Sequence, residues 1–204
     1  MGKLTVIIGP MFASKSTTLI AKCRRLSLAG KRCIMVRHPL DTRYQGHDSH
    51  VITHDGNKFE AITCPDNSCI VRIFHKMQGY DAIFIDEGQF YDDIAEICDT
   101  LANQGKMVFC SGLYADANRK PFASMTHLLA VADDIIFQTA IDPLNGMDAP
   151  FTDFAVAHHG QEQIQVGGAE LYRPCSRQTY GKLNKEFNDS DELSQKQKQQ
   201  MNTY

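Results

Sequence analysis

Two short stretches of this chain carry residue types suited to phosphate chemistry. The first, Gly9-Pro10-Met11-Phe12-Ala13-Ser14-Lys15-Ser16, follows the apolar run Leu4–Ile8 and opens a helical pattern. Backbone N–H groups of a loop in that setting wrap phosphate oxygens, and the helix N-terminus adds positive potential. Lys15 would then reach the terminal phosphates, and the Ser16 hydroxyl would be a ligand for Mg²⁺. The pattern G-x-x-x-x-G-K-[ST] asks for glycine where this chain has Ser14. If the backbone there needs positive φ, serine costs roughly 1–2 kcal/mol. The second stretch is Asp86-Glu87-Gly88-Gln89-Phe90, at the end of the apolar run Ala82–Ile85. An aspartate at the carboxyl end of a strand near a phosphate loop holds Mg²⁺ directly or through water. The adjacent carboxylate, Glu87, can face an acceptor and remove its proton. Taken singly, the loop also reads as a strand-to-helix turn and the acidic pair as a polar strand end. Taken together, they point to phosphoryl transfer or nucleoside triphosphate hydrolysis.

The elements that position these residues are legible as an alternation. Leu4–Ile8, Cys33–Val36, Ala82–Ile85, Met107–Cys110 and Ile135–Phe137 are short continuous apolar runs, as expected of strands covered on both faces in a parallel sheet. Lys15–Ala29 and Phe90–Gln104 read as helices, with Gly30 and Gly105 in the terminating position. This order predicts an α/β core, a phosphate-loop parallel sheet with helices on both faces and right-handed crossovers. Arg37–Cys69 reads as a long excursion carrying one hairpin. After residue 141 the pattern changes. Phe151–Ala157 and Gln163–Val166 flank a His158-His159-Gly160 turn and read as a hairpin in a small appended lobe. The expected division is 1–140 as nucleotide-binding domain, 141–184 as small lobe, and 185–204 as a disordered tail, since Lys185–Tyr204 holds only four apolar side chains.

Composition narrows the partners. The 204 residues are 43% hydrophobic, enough for a core, and 21 basic against 24 acidic side chains leave a net charge of −3. That argues against a general nucleic-acid or membrane-surface binder. No apolar run reaches the length of a bilayer span, and the N-terminal residues lack a signal-peptide core. Seven scattered cysteines suit reduced thiols, so a cytoplasmic location is expected. Cys64 and Cys69 are spaced to begin a metal site, but no second matching pair accompanies them.

Six motifs in order resemble the type II thymidine kinases, the family of human cytosolic and poxviral enzymes. They are Gly9-Pro10-Met11-Phe12 with Lys15-Ser16-Thr17, Asp41-Thr42-Arg43-Tyr44, Thr53-His54-Asp55, Asp86-Glu87-Gly88-Gln89-Phe90, Arg119-Lys120-Pro121-Phe122 and Val166-Gly167-Gly168. The resemblance covers roughly residues 4–182. It implies a RecA-like core and a small lobe whose loop covers the thymine base. By residue, it implies that Glu87 takes the proton from the nucleoside 5′-hydroxyl and that Asp86 and Ser16 serve Mg²⁺. Gly9 to Thr17 would hold ATP, with Asp41, Arg43 and Gln89 around the phosphate and nucleoside sites. Met11, Phe90, Leu113, Ala117, Phe122, Thr152, Gln163, Val166, Gly167 and Tyr172 would surround the base and sugar. It also implies a homotetramer, and dTTP as a feedback inhibitor.

Three features depart from the family pattern. Ser14 replaces the loop glycine, and Ala117 stands where the family places an aromatic ring against thymine. The four positions that bind zinc in the family, commonly two Cys-x-x-Cys pairs, fall on Asp142, Asn145, Ser176 and Thr179. These are poor replacements for thiolates, so no zinc is expected. The leading reading is an ATP-dependent kinase of thymidine or a related nucleoside, working at a full or an attenuated rate, with Mg²⁺ as cofactor. The alternative is a catalytically weak or inactive nucleotide-binding or assembly module.

Overall fold

A computed structural model describes residues 1–39, 50–52, 58–156 and 167–182. In chain order its elements begin with β1 (Lys3–Ile8), α1 (Lys15–Leu28), β2 (Cys33–Arg37), β3 (His50–Ile52), β4 (Lys58–Glu60) and β5 (Ile62–Thr63). They continue with α2 (Asn67–Met77), β6 (Ala82–Ile85), a 3-10 turn (Gly88–Phe90), α3 (Ile94–Asn103), β7 (Met107–Gly112), α4 (Ala123–Ala130) and β8 (Asp134–Phe137). The last are β9 (Ala140–Ile141), β10 (Asp148–Ala149), β11 (Phe151–Phe154) and β12 (Tyr172–Cys175). The main sheet is all parallel, in the order β5-β2-β6-β7-β1-β8.

The five apolar runs became five of its six strands, and the two-sided burial explains why they are continuous. Successive side chains of a strand point to opposite faces. Leu4, Val6 and Ile8 join Ile34, Val36, Ile83 and Ile85 in one core, against Ile70 and Met77 of α2, Ile94 and Leu101 of α3, and Met125 and Leu128 of α4. Ile7, Met35 and Phe84 face the other way, under Leu19, Ile20 and Cys23 of α1. Helices therefore cover both faces of a parallel α/β sheet. On the α1 side the Phe84 and Phe109 rings stack with centroids 4.8 Å apart. Gly30 (φ 79°) and Gly105 (φ 88°) terminate α1 and α3 in the left-handed region, where glycine avoids a Cβ clash.

Several expectations require correction. The pattern from Phe90 to Gln104 divides into the 3-10 turn and α3, which begins only at Ile94, because Glu87 is left-handed and Tyr91 is extended. The excursion between β2 and β6 holds the expected hairpin, β3 with β4, but also β5 and α2. Helix α2 carries a sequence signal that was passed over: Asp66 caps it by accepting from the Cys69 amide at 2.7 Å, and Ile70, Ile73, Phe74 and Met77 recur on one face. Helix α4 was also missed. β11 pairs with β12, in antiparallel register from Phe151↔Cys175 to Phe154↔Tyr172, a pairing the sequence did not suggest. Strand pairing is decided by contacts distant in sequence, which local turn chemistry does not encode. The His158-His159-Gly160 turn, Gln163, Val166 and the tail 185–204 lie outside the described residues, as do Asp41, Arg43 and the Thr53-His54-Asp55 motif.

Candidate active site

Sheet order brings the two chemical stretches to one end of the molecule. β7 lies between β6 and β1, so the carboxyl ends of β1 and β6 are two strand spacings apart, about 10 Å. The loop after β1 and the acidic pair after β6 thus share the edge at which open α/β sheets bind ligands.

The phosphate loop is tightly specified. A Cβ on Gly9 would meet the Gln138 carbonyl at 2.3 Å, so only glycine fits there. Phe12 (φ 65°) and Ser14 (φ 57°) are both left-handed. Ser14 therefore occupies the conformation its missing glycine implied, at roughly 1–2 kcal/mol. Its carbonyl accepts from the Thr18 amide at 3.0 Å, in the first turn of α1. Lys15, buried at the start of that helix, donates from Nζ to the Pro10 carbonyl at 2.6 Å, across the loop. Gln138, following β8, donates to the Thr18 hydroxyl at 2.7 Å. The Met11 amide donates to Thr152 Oγ1 of β11 at 3.0 Å, which fastens the loop to the C-terminal part of the chain.

At the end of β6, Asp86 and Glu87 are both buried. The Ser111 hydroxyl of β7 donates to Asp86 Oδ1, and the Glu87 amide reaches the same oxygen at 3.2 Å. Glu87 has φ 57° and ψ 48°, an uncommon conformation for a residue with a Cβ and one that concentrates at functional sites. Gln89 donates from Nε2 to Glu87 Oε2 at 2.6 Å, while its Oε1 accepts from the Leu113 amide at 3.0 Å. That amide fixes which way the Gln89 side chain points, and so presents its NH₂ to Glu87. Gly88 leaves room for the turn, since a Cβ would meet Cys110 Sγ at 2.5 Å. His38, which the sequence reading passed over, packs 4.9 Å from the Phe90 ring and 5.1 Å from that of Tyr91. Burial lowers its pKa, more than its contact with the Pro65 carbonyl and the nearby Glu87 raise it. His38 and Ser111 had no motif to mark them; only sheet register places Ser111 beside Asp86.

The residues assigned to base and sugar divide into two groups. Phe90, Leu113 and Phe122 lie with Gln89 at the sheet end, Leu113 and Phe122 packing on the main core. Met11, Ala117 and Tyr172 form a second cluster with Phe12, Phe154 and Leu171. Thr152 touches it through Met11. Ala117 is buried and clusters with Phe154 and Tyr172, whose rings are 5.5 Å apart. Tyr114 does not take the place of the absent ring: its hydroxyl donates to the Pro150 carbonyl at 2.6 Å. Gly167 lies against Leu171, which a Cβ would meet at 2.3 Å. The loop bearing Ala117 is braced by Asp116, which accepts from the Asn118 and Lys120 amides at 2.9 and 2.8 Å. Arg119 covers the Tyr180 ring at 4.0 Å.

For a divalent cation the candidate donors are the Asp86 carboxylate and the Ser16 hydroxyl. These are hard oxygen ligands of the kind Mg²⁺ accepts beside substrate phosphates. Among the described residues no three His, Cys, Asp or Glu side chains group as a metal site. Cys64 and Cys69 face each other with sulfurs 2.6 Å apart.

The sequence model of the thymidine kinases matches residues 2–180. The chain belongs to the thymidine kinase family. It is 36% identical over 191 residues to thymidine kinase 1 of Dictyostelium discoideum, covering 93% of this chain and 82% of that one. It is 36% identical to human cytosolic thymidine kinase over 89% of this chain and 74% of the relative. Against the thymidine kinase of vaccinia virus it is 33% identical, over 88% and 97%. Among solved structures, the Legionella pneumophila ATPase DotB superposes with a TM-score of 0.45 at 13% identity, over 72% of this chain and 43% of that one. Family membership supports a nucleoside kinase of the thymidine kinase type. No helix among the described residues is long and apolar enough to cross a membrane.

Proposed function

We propose that this chain transfers the γ-phosphate of ATP to the 5′-hydroxyl of thymidine. The observation that carries this reading is the Glu87 carboxylate: buried, on a left-handed backbone, and held by Gln89 at 2.6 Å beside Asp86. A positioned carboxylate next to the acceptor is what proton removal from a hydroxyl requires. The loop from Gly9 to Thr17 would cradle the phosphates through backbone amides, and Lys15 would exchange the Pro10 carbonyl for phosphate oxygens. Asp86 and Ser16 are the side chains that would hold Mg²⁺, which when bound neutralises charge on the β- and γ-phosphates. Thymidine would lie between the Phe90–Leu113–Phe122 group and the Met11–Ala117–Thr152–Tyr172 group. Gln163, Val166 and Gly167 would complete the cover, with Asp41 and Arg43 toward the phosphates. Cytoplasmic residence, a homotetramer and feedback inhibition by dTTP belong to the same reading.

The test is ADP formation that requires both thymidine and Mg²⁺ and disappears in Glu87→Gln with the fold intact. ADP release independent of nucleoside would overturn the reading. A second reading, a catalytically weak or inactive nucleotide-binding or assembly module, draws on the left-handed Ser14 and on the small Ala117 side chain packed with Phe154 and Tyr172. It predicts binding of ATP or thymidine without turnover, in the parent chain and in Ser14→Gly alike.

A further inference from the structure

The lobe that begins near residue 140 contains a buried polar cluster outside the site described above. Asp142 has no exposed surface, and Ser176 and Thr179 are 5% and 4% exposed. Asp142 Oδ1 accepts from the Leu144 amide at 2.9 Å. Its Oδ2 accepts from the Ser176 amide at 2.7 Å and from the Thr179 hydroxyl. Asn145 donates from Nδ2 to Ser176 Oγ at 3.0 Å and accepts the Met147 amide on Oδ1 at 3.0 Å. The Ser176 and Thr179 hydroxyls are 3.3 Å apart. These contacts join the turn after β9 to the turn after β12, across 31 to 37 residues of sequence.

These are the four positions at which the resemblance to type II thymidine kinases implies zinc ligands. The donor set does not fit that ion. It offers one carboxylate, one amide and two hydroxyls in place of thiolates, and zinc favours deprotonated sulfur or neutral imidazole. The ligand atoms are also engaged with one another: both Asp142 oxygens accept, the Thr179 hydroxyl donates to one of them, and Ser176 Oγ receives the Asn145 amide. A metal ion would have to break each of these bonds.

We propose that Asp142, Asn145, Ser176 and Thr179 form a metal-free clasp that ties the two turns together where other members of the family are tied by zinc. The charge of the carboxylate stands in for part of the ion's role, reversed in sign: backbone amides and hydroxyls converge on an anion instead of thiolates converging on a cation. Closing a loop of this length by a local tie restricts the lobe much as a metal clip does. Burial pushes the Asp142 carboxyl upward, but the Thr179 hydroxyl and the Ser176 and Leu144 amides outweigh it and hold the pKa at about 2. The clasp is therefore charged at neutral pH. Neighbouring Asp153 forms a second tie, accepting from Arg173 at 2.8 Å and from the Gly181 amide at 3.1 Å.

The test combines metal content, melting and hydrogen exchange, none of which depends on catalysis. The full chain is purified from zinc-supplemented medium and melted with and without a strong chelator. Zinc well below one ion per chain and an unchanged Tm are expected. In Asp142→Asn, amide exchange in 142–147 and 176–181 should accelerate about tenfold or more, while exchange in β6 stays unchanged. A chain with cysteine at all four positions (Asp142→Cys, Asn145→Cys, Ser176→Cys, Thr179→Cys) should take up one zinc and melt higher with it than without. Stoichiometric zinc in the parent chain whose removal lowers Tm would overturn the proposal. Unchanged exchange in Asp142→Asn would do the same. Failure of the four-cysteine chain to bind zinc would refute the equivalence of position.

Discussion

Two pairs of buried acidic residues divide this molecule. Asp86 and Glu87 stand at the carboxyl end of the parallel sheet, while Asp142, in the turn after β9, and Asp153, in β11, lie in the C-terminal part of the chain. Burial is the same in both places, so burial alone does not separate carboxylates suited to chemistry from carboxylates that hold structure. The surroundings do. Asp142 accepts on one oxygen from its own turn and on the other from the turn after β12, and Asp153 pairs with a buried guanidinium. Glu87 is presented by a left-handed backbone and accepts from the Gln89 side-chain amide, which is itself oriented by the Leu113 N–H. One pair is converged upon by the chain; the other is aimed from the end at which the phosphate loop also opens.

The contrast can be broken by substitution. The largest effect is expected at Glu87: Glu87→Gln should reduce turnover by about 10²- to 10⁴-fold, the usual worth of a positioned general base, with little change in Tm. Steady-state rates beside a thermal melt check both halves. Asp153→Ala should do the reverse, since it leaves the Arg173 guanidinium buried without its carboxylate. A loss of about 3–5 kcal/mol is expected in denaturant unfolding, and Asp153→Ala with Arg173→Met together should cost less than Asp153→Ala alone. Gln89→Leu sharpens the comparison, because it removes the steering amide without touching Glu87. A fall in turnover is expected, with Tm lowered by no more than about 2–4 °C. The smallest stability effect is at the loop. Ser14→Gly should raise stability by about 1 kcal/mol by relieving the left-handed serine, read as a higher urea midpoint at constant slope.

The acid limb distinguishes the pairs in another way. The folded pKa of Asp142, about 2, lies below the ordinary aspartate value. Its contribution to stability is therefore complete above about pH 4 and is lost as pH falls toward 2. Comparison of acid unfolding in the parent chain and Asp142→Asn should show this loss removed by the substitution. Equal pH dependence in both would count against a charged clasp.

The strands that carry chemistry were legible because a strand buried on both faces must be apolar at every position. Leu4–Ile8 and Ala82–Ile85 could thus be read as core strands, the first followed by a Gly-Pro loop and the second by an acidic pair. Local rules likewise marked the ends of α1 and α3 at Gly30 and Gly105, and foresaw a left-handed backbone at Ser14. Where contacts distant in sequence decided, the local reading stopped short. β11 pairs with β12 across seventeen intervening residues, and no local turn signal marks that pairing. Nor does sequence show that Ala117 packs in one buried cluster with Phe154 and Tyr172, 37 and 55 positions further on.

From sequence alone, then, the α/β class, the phosphate loop, the acidic strand end and the family resemblance could be determined, because each is written in contiguous residues whose periodicity and spacing carry the physics. Only the tertiary structure brought Ser111 to Asp86 and Leu113 to Gln89, and joined Asp142 to Ser176 and Thr179. Hydrogen bonds between residues tens of positions apart have no local signature. They exist because the packed sheet and the closed turns exclude water and leave each buried polar group only the partners the fold supplies.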